Sequence, residues 1–447
     1  MHLAQLLSDL LLSLWRGTMD HILPDHVSMW PWAIFHDAET WETHGEAVSN
    51  AAQHLPGSFD QKPRNPAEKM NSGYKTWEYQ VYIFGLGPVL LFDILPRPYW
   101  LNYCRLVRGF QLINQHSISH EDACTAQALF TQWELEFETL YYQRRAERLH
   151  FIRSCVHQVS HLVRETVKKG PPICYSQWTM ERTIGNLGQE IRQPSNPYAN
   201  LSREGVRRCQ VNALKAMMPD LSPDKPPFPT TAIDLGDGYI LLHKRDSWPM
   251  VPREPGAKAI FQYLGHRCRD FKIRWWARVR LLNGQIARTA WRETKHPPEK
   301  VRPAQHVKIV IEGETRVAEV LYFTRLPVEA GIDNDDNQIW VWKDVAVISM
   351  FSLPDNDLLE LSCHTVSSCR LEDDDVRVID IKSFLGVVGM VPHKPTLPSG
   401  VTEDHYFMVE KPGLDIATFG VPYEGPAAQD DQLDEQEVEA GEDDGGA

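Results

Sequence analysis

Residues 221–230 read LSPDKPPFPT, and the sequence pattern changes across them. Four prolines in this stretch fix φ and remove backbone donors, so neither a helix nor a sheet continues through it. It reads as a linker. On its N-terminal side apolar residues recur three and four apart, as in Leu3, Leu6, Leu7, Leu10, Leu11 and Leu14, and again in Leu129, Trp133, Phe137, Leu140 and Tyr141. That spacing gives each segment one apolar stripe, the mark of a helix packed on a core.

On its C-terminal side the period falls to two. Two β-prone runs flank Asn283-Gly284 within 276–291, and two more flank Glu312-Gly313 within 307–323. Such dipeptides accept the positive φ angles of a tight hairpin turn. Further strand-like runs follow at 339–351, 376–381 and 406–409. The expected architecture is α+β and multidomain: a helical region 1–220, a Pro-rich linker 221–230, a β-rich region 231–420 forming a small barrel, and a tail 421–447.

The composition, 42% hydrophobic and 10% aromatic, is that of a folded protein. A formal charge of −14 argues, taken alone, against a nucleic-acid partner. Ten of those charges, however, come from residues 424–447, which hold no Lys or Arg; setting them aside leaves −4. Such a tail buries no apolar area and is expected to be disordered. Residues 141–215 hold thirteen Lys or Arg against five Glu, a local balance of +8 suited to phosphates.

The eight cysteines are scattered without a CxxC pair, as expected for reduced thiols in an intracellular protein. Residues 3–15 are apolar, but Asp9 interrupts them and no basic region or small-residue cleavage site marks a signal peptide. No run of eighteen apolar residues predicts a membrane span.

Residues 177–201, QWTMERTIGNLGQEIRQPSNPYANL, carry the most information about chemistry. On a helix from Thr179 to about Arg192, Met180, Ile184, Leu187 and Ile191 form a stripe expected to be buried. Glu181, Gly185, Gly188 and Arg192 share a neighbouring face. Glycine weakens a helix, so two of them beside an acid need a reason. Either the smooth face lets a nucleic-acid backbone or a metal approach Glu181, or the glycines admit a neighbouring helix and Glu181 pairs with an arginine.

A second helix over 203–218 carries Arg203, Arg207, Arg208 and Lys215, with Val206, Leu214 and Met217 expected behind them. His150, His157 and His161 fall on one predicted helical face, and the i, i+4 pair His157 and His161 could share a metal. His150-x-x-Arg153 imitates the HxxR element of tyrosine recombinases, without the further Arg and Lys that chemistry needs. Strand tryptophans at 275, 276, 291, 340 and 342 are either an aromatic recognition cage or core.

Five long runs, LLLSLWRGTMD (10–20), LPGSFDQKPRNPAEKMNSGY (55–74), YWLNYCRLVRG (99–109), LYYQRRAERLHF (140–151) and the 177–201 segment, resemble the C-terminal half of fungal transposases related to the plant CACTA (En/Spm-type) elements. The resemblance continues through 208–220 and into the β region at 276–293 and 376–392. It implies a cut-and-paste DNA transposase with an RNase H-like core, in which three carboxylates hold two Mg2+ or Mn2+ ions. In that family the first two acids precede a segment Asp-x-Met-His-Leu, and this chain opens at Met1-His2-Leu3, so both are expected to be missing. Glu181 carries over as the third acid, after a helical insertion from about 20 to 175.

One acid cannot position two metals. The resemblance therefore implies a catalytically incomplete, nuclear, transposon-derived protein, with DNA as its partner and a homo-oligomer open, and with no membrane and no small-molecule substrate. Its DNA contacts are expected at Arg182, Arg192, Arg203, Arg207, Arg208 and Lys215. The β region resembles the extra domain of these transposases, as an SH3-like or BAH-like barrel. Two alternatives stand beside this reading. One is a non-catalytic nuclear module in which the β domain reads chromatin or binds a protein; the other is a complete enzyme using Asp20 or Asp37.

Overall fold

A computed structural model describes residues 2–59, 62–191, 195–221, 232–242, 247–265, 272–297, 301, 303–332 and 338–423. Arg192, the linker beyond Leu221 and the tail from 424 on lie outside them. The chain is α+β, with a helical N-terminal part and a β-rich C-terminal region of antiparallel sheets. Among the described residues no strand precedes Ile233, and no helix is long and apolar enough to cross a membrane.

The helices begin where local chemistry lets them. Ala38–Ala52 starts at Asp37, whose carboxylate accepts the Thr40 N–H at 2.8 Å and satisfies a donor the helix cannot. His120–Phe137 opens on a reciprocal capping box between Ser119 and Asp122. Arg97–Ile113 packs on it closely because Gly109 presents no side chain: a Cβ there would stand 2.4 Å from the Phe130 ring. The first helix, His2–Trp15, buries Leu7, Leu10, Leu14 and Trp15 completely. Around it gathers an aromatic core in which the Trp15 Nε1–H donates to the Tyr141 hydroxyl at 3.1 Å, and Trp32 packs on both Tyr99 and Tyr141.

Among its described residues the β region contains fourteen strands: β1 Ile233–Gly236, β2 Tyr239–Leu241, β3 Ser247–Met250, β4 Ile273–Trp276, β5 Arg278–Arg280, β6 Ile286–Arg288, β7 His306–Ile311, β8 Glu314–Ile332, β9 Gln338–Phe351, β10 Ser368–Cys369, β11 Leu371–Asp380, β12 Phe384–Val387, β13 Gly389–His393 and β14 His405–Val409. They form a sheet β11-β9-β8-β4-β3 to which β7 and β12 attach, a sheet β1-β2-β5-β6, and a sheet β10-β14-β13. Both expected hairpins are present. Gly284 (φ +79°) turns β5 into β6, and Glu312 (φ +55°) with Gly313 (φ +80°) turns β7 into β8.

The two parts are fused rather than strung together. Leu358, Val366, Val391, Phe407 and Val409 of the β region belong to the same apolar cluster as the helices. The Gln115 side-chain oxygen accepts the Ile416 N–H at 3.0 Å, and the Gln285 amide donates to the Ser58 hydroxyl at 3.0 Å. The long β8–β9 hairpin does the opposite at its far end. There Ile339, Trp340, Val341 and Trp342 are 42–59% exposed.

Candidate nucleic-acid interface

Asn196 adopts a left-handed conformation (φ +79°) and Pro197 starts the next helix, so the chain reverses between Trp178–Glu190 and Pro197–Met217. The result is a helical hairpin. The two helices pack on each other, and the second buries no residue at all. Glu190 of the first helix and Arg208 of the second form an ion pair across it; that carboxylate raises Arg208, and the guanidinium lowers Glu190.

The expected burial of the Met180 stripe is corrected here. Met180 and Ile184 are 52% and 53% exposed, and Leu187 and Ile191 are half-buried, because the companion helix covers only one end of the stripe. Val206, Leu214 and Met217 likewise are not behind the basic face but exposed beside it. The half-buried side of the second helix is instead Leu201, Glu204, Gly205 and Arg208. A helix turns 100° per residue, so this leaves Arg203 and Arg207 on the side away from the companion helix.

The cations differ in how free they are. Arg207 is held by Glu204 at 2.7 Å and Arg208 by Glu190, whereas Arg182, Arg203 and Lys215 are exposed with no carboxylate within 4 Å among the described residues. The rest of the basic block is partly structural. Arg148 and Arg145 bind Asp25 at 2.6 and 3.2 Å, and Arg153 binds Asp9 at 2.8 Å. His150 reaches the Asp20 carbonyl at 2.6 Å, so His150-x-x-Arg153 ties this segment to the first 25 residues.

Glu181 is exposed in the first turn of its helix and makes no ion pair among the described residues. A Cβ at Gly185, Gly188 or Gly205 would meet nothing within 4 Å, so no neighbouring helix uses the glycine face. Of the two readings of those glycines, the open face is the one present. Among the described residues no three His, Cys, Asp or Glu come together to hold a metal. Glu181 belongs to no such group among the described residues. Asp37 caps its helix, its Oδ2 accepting both the Thr40 N–H and the Thr40 hydroxyl at 2.8 Å.

Compared with known proteins, the chain matches no family model, no curated protein and no solved structure.

His157 and His161 do approach each other, with their Nε2 atoms 3.1 Å apart, and the Glu134 carboxylate lies 3.0 Å from His157 Nδ1. His150 is not on their face, because residues 146–161 are three short helical pieces rather than one helix. The five tryptophans also do not converge. Trp275 stacks on Tyr322 at 3.7 Å with Trp291 edge-on, Trp276 enters a different core cluster, and Trp340 and Trp342 lie on the exposed arm.

Proposed function

We propose that this chain is a transposon-derived nuclear DNA-binding protein, related to CACTA-type cut-and-paste transposases, that holds DNA through the 178–217 hairpin. One observation carries the reading: the hairpin stands clear of the core and presents Arg182, Arg203 and Lys215 without carboxylate partners among the described residues. Unpaired cations release counterions from DNA on binding, which is the main source of sequence-independent affinity. The glycine face beside Glu181 gives a phosphate backbone room to approach. In this reading the helices from about 20 to 175 are the insertion of an RNase H-like core, and the β region is the family's extra SH3-like or BAH-like domain.

Fluorescence anisotropy of the full chain with a labelled duplex tests it. The log of the binding constant should fall with log salt by about 0.9 per phosphate contact, and R182E/R203E/K215E should flatten that slope by about 2 to 3. An unchanged slope would transfer the function to the β region. That second reading, a protein-interaction or chromatin-reading module, is favoured by the exposed Trp340 and Trp342, since aromatic residues are enriched at binding hot spots.

A further inference from the structure

Between the helical part and the β10-β14-β13 sheet lies a cleft. Its walls are mostly apolar, with Phe84, Phe110, Leu162, Ile173, Met408 and Ile416 among them. Gly413, at φ +92°, lets the 411–414 loop press against one wall: a Cβ there would stand 2.9 Å from Ile173 Cδ1.

Two cations line this space, and among the described residues neither has a carboxylate within 4 Å. Arg108 projects from the helix Arg97–Ile113, and its contacts are long ones to the His364 carbonyl (3.3 Å) and the Gln111 side-chain oxygen (3.5 Å). Lys411, on the opposite wall, is half-buried. The acid nearest in the lining, Glu410, is already occupied by Lys308 at 2.7 Å and by the Ala417 N–H at 3.0 Å. Burial lowers Arg108 from its ordinary value, yet a guanidinium stays charged in a protein. Burial also lowers His364, which keeps its imidazole neutral and adds no competing charge near pH 7. Cys363 and His364 both hold positive φ angles, 53° and 62°, and that turn aims the His364 carbonyl at Arg108.

A buried guanidinium on which the acids Glu410 and Asp122 act only from beyond ion-pair distance is costly unless something closer neutralises it. A concave, mainly apolar space with a few convergent polar groups is also the usual form of a small-molecule site. We propose that this cleft binds a small organic anion with an apolar body, a carboxylate or its sulfonate analogue, whose head pairs with Arg108 and Lys411 while its body lies against Phe84, Phe110 and Ile416. This adds a ligand where the residue pattern predicted none, and it stands independently of DNA binding.

The probe is 1-anilinonaphthalene-8-sulfonate, with the uncharged N-phenyl-1-naphthylamine as its comparison, titrated by fluorescence into the full chain. Dodecanoate should displace the sulfonate. R108Q should weaken sulfonate binding about tenfold or more, the size of a lost charge-assisted contact, while leaving the uncharged probe within about twofold. R108K should recover part of the loss, and K394Q, at an exposed position outside the cleft, should leave sulfonate binding unchanged. Should R108Q fail to fold, K411Q provides the same comparison from the opposite wall. Equal sulfonate affinity in wild type and both variants, or failure of dodecanoate to displace it, would overturn the proposal.

Discussion

Arg148 and Asp25, 123 residues apart in sequence, meet in the helical core through two parallel hydrogen bonds of 2.6 Å, with 2% and 1% of their side chains exposed. The guanidinium also lies 5.0 Å from the Trp32 ring, so both charge and face are used. This pair fastens the segment after the aromatic core to the turn that follows the first helix.

Removing the guanidinium while keeping the acid leaves Asp25 buried with only Arg145 beside it. R148M should therefore cost about 3–5 kcal/mol, and D25N/R148M should recover much of that, because it is the uncompensated charge that is expensive. The Arg148 hydrogen bond holds Asp25 below the usual carboxylate range. A depressed folded value means that this stability is complete above the unfolded value of about 4 and is lost as pH falls through the folded one. Urea melts of the two variants settle the matter; a cost for R148M under about 1 kcal/mol would be incompatible with a buried pair.

Glu293 has the opposite sign. Burial raises it to about 7, although both its oxygens accept the Ala304 N–H at 3.2 Å. Between the unfolded value of about 4.3 and pH 7 the unfolded chain releases this proton first, so stability falls as pH rises through that window and levels off above it. From pH 5 to pH 8 the wild type should lose roughly 3 kcal/mol relative to E293Q. Parallel pH profiles of unfolding free energy for the two proteins would rule this out.

What the sequence makes legible follows the range of the interaction. Gly284 and Gly313 mark their hairpins because a positive φ is a property of the turn itself. Leu7, Leu10 and Leu14 mark their helix because burial there repeats with the helical period. Met180 and Ile184 have the same period and are exposed, since periodicity identifies a face but not whether anything covers it. Arg148 counts toward the basic block in sequence, and only the fold shows Asp25 beside it. For the same reason the basic run is readable in the sequence, while the ion pairs that hold Arg207 and Arg208 are not. The cleft around Arg108 joins residues from opposite ends of the chain and left no local pattern.

Gly185 and Gly188 allow a direct separation of stability from function. Both lie in the helix Trp178–Glu190, and a Cβ at either meets open space. G185A/G188A should stabilise that helix by about 1 kcal/mol per site, visible as slower amide exchange over 178–190. If the smooth face receives a DNA backbone, the same variant should bind duplex more weakly despite its firmer helix. Stronger helix with undiminished DNA affinity would show that the glycines have no part in the contact.

The two ends of the β8–β9 hairpin should respond oppositely to losing a tryptophan contact. Near its base, Trp275 of β4 lies flat on Tyr322 of β8 at 3.7 Å and is 8% exposed, so W275A should cost about 3–5 kcal/mol through the cavity it leaves. At the far end Trp342 is 59% exposed, paired in register with Pro327, and W342T should stay within about 0.5 kcal/mol of wild type. Urea midpoints measure both. An exposed tryptophan that contributes nothing to folding has its apolar surface available for a partner, so W342T should lower capture of any protein the β region binds while leaving DNA affinity unchanged. A large loss of stability in W342T would instead place the arm within the fold, and the interaction reading would lose its one favouring observation.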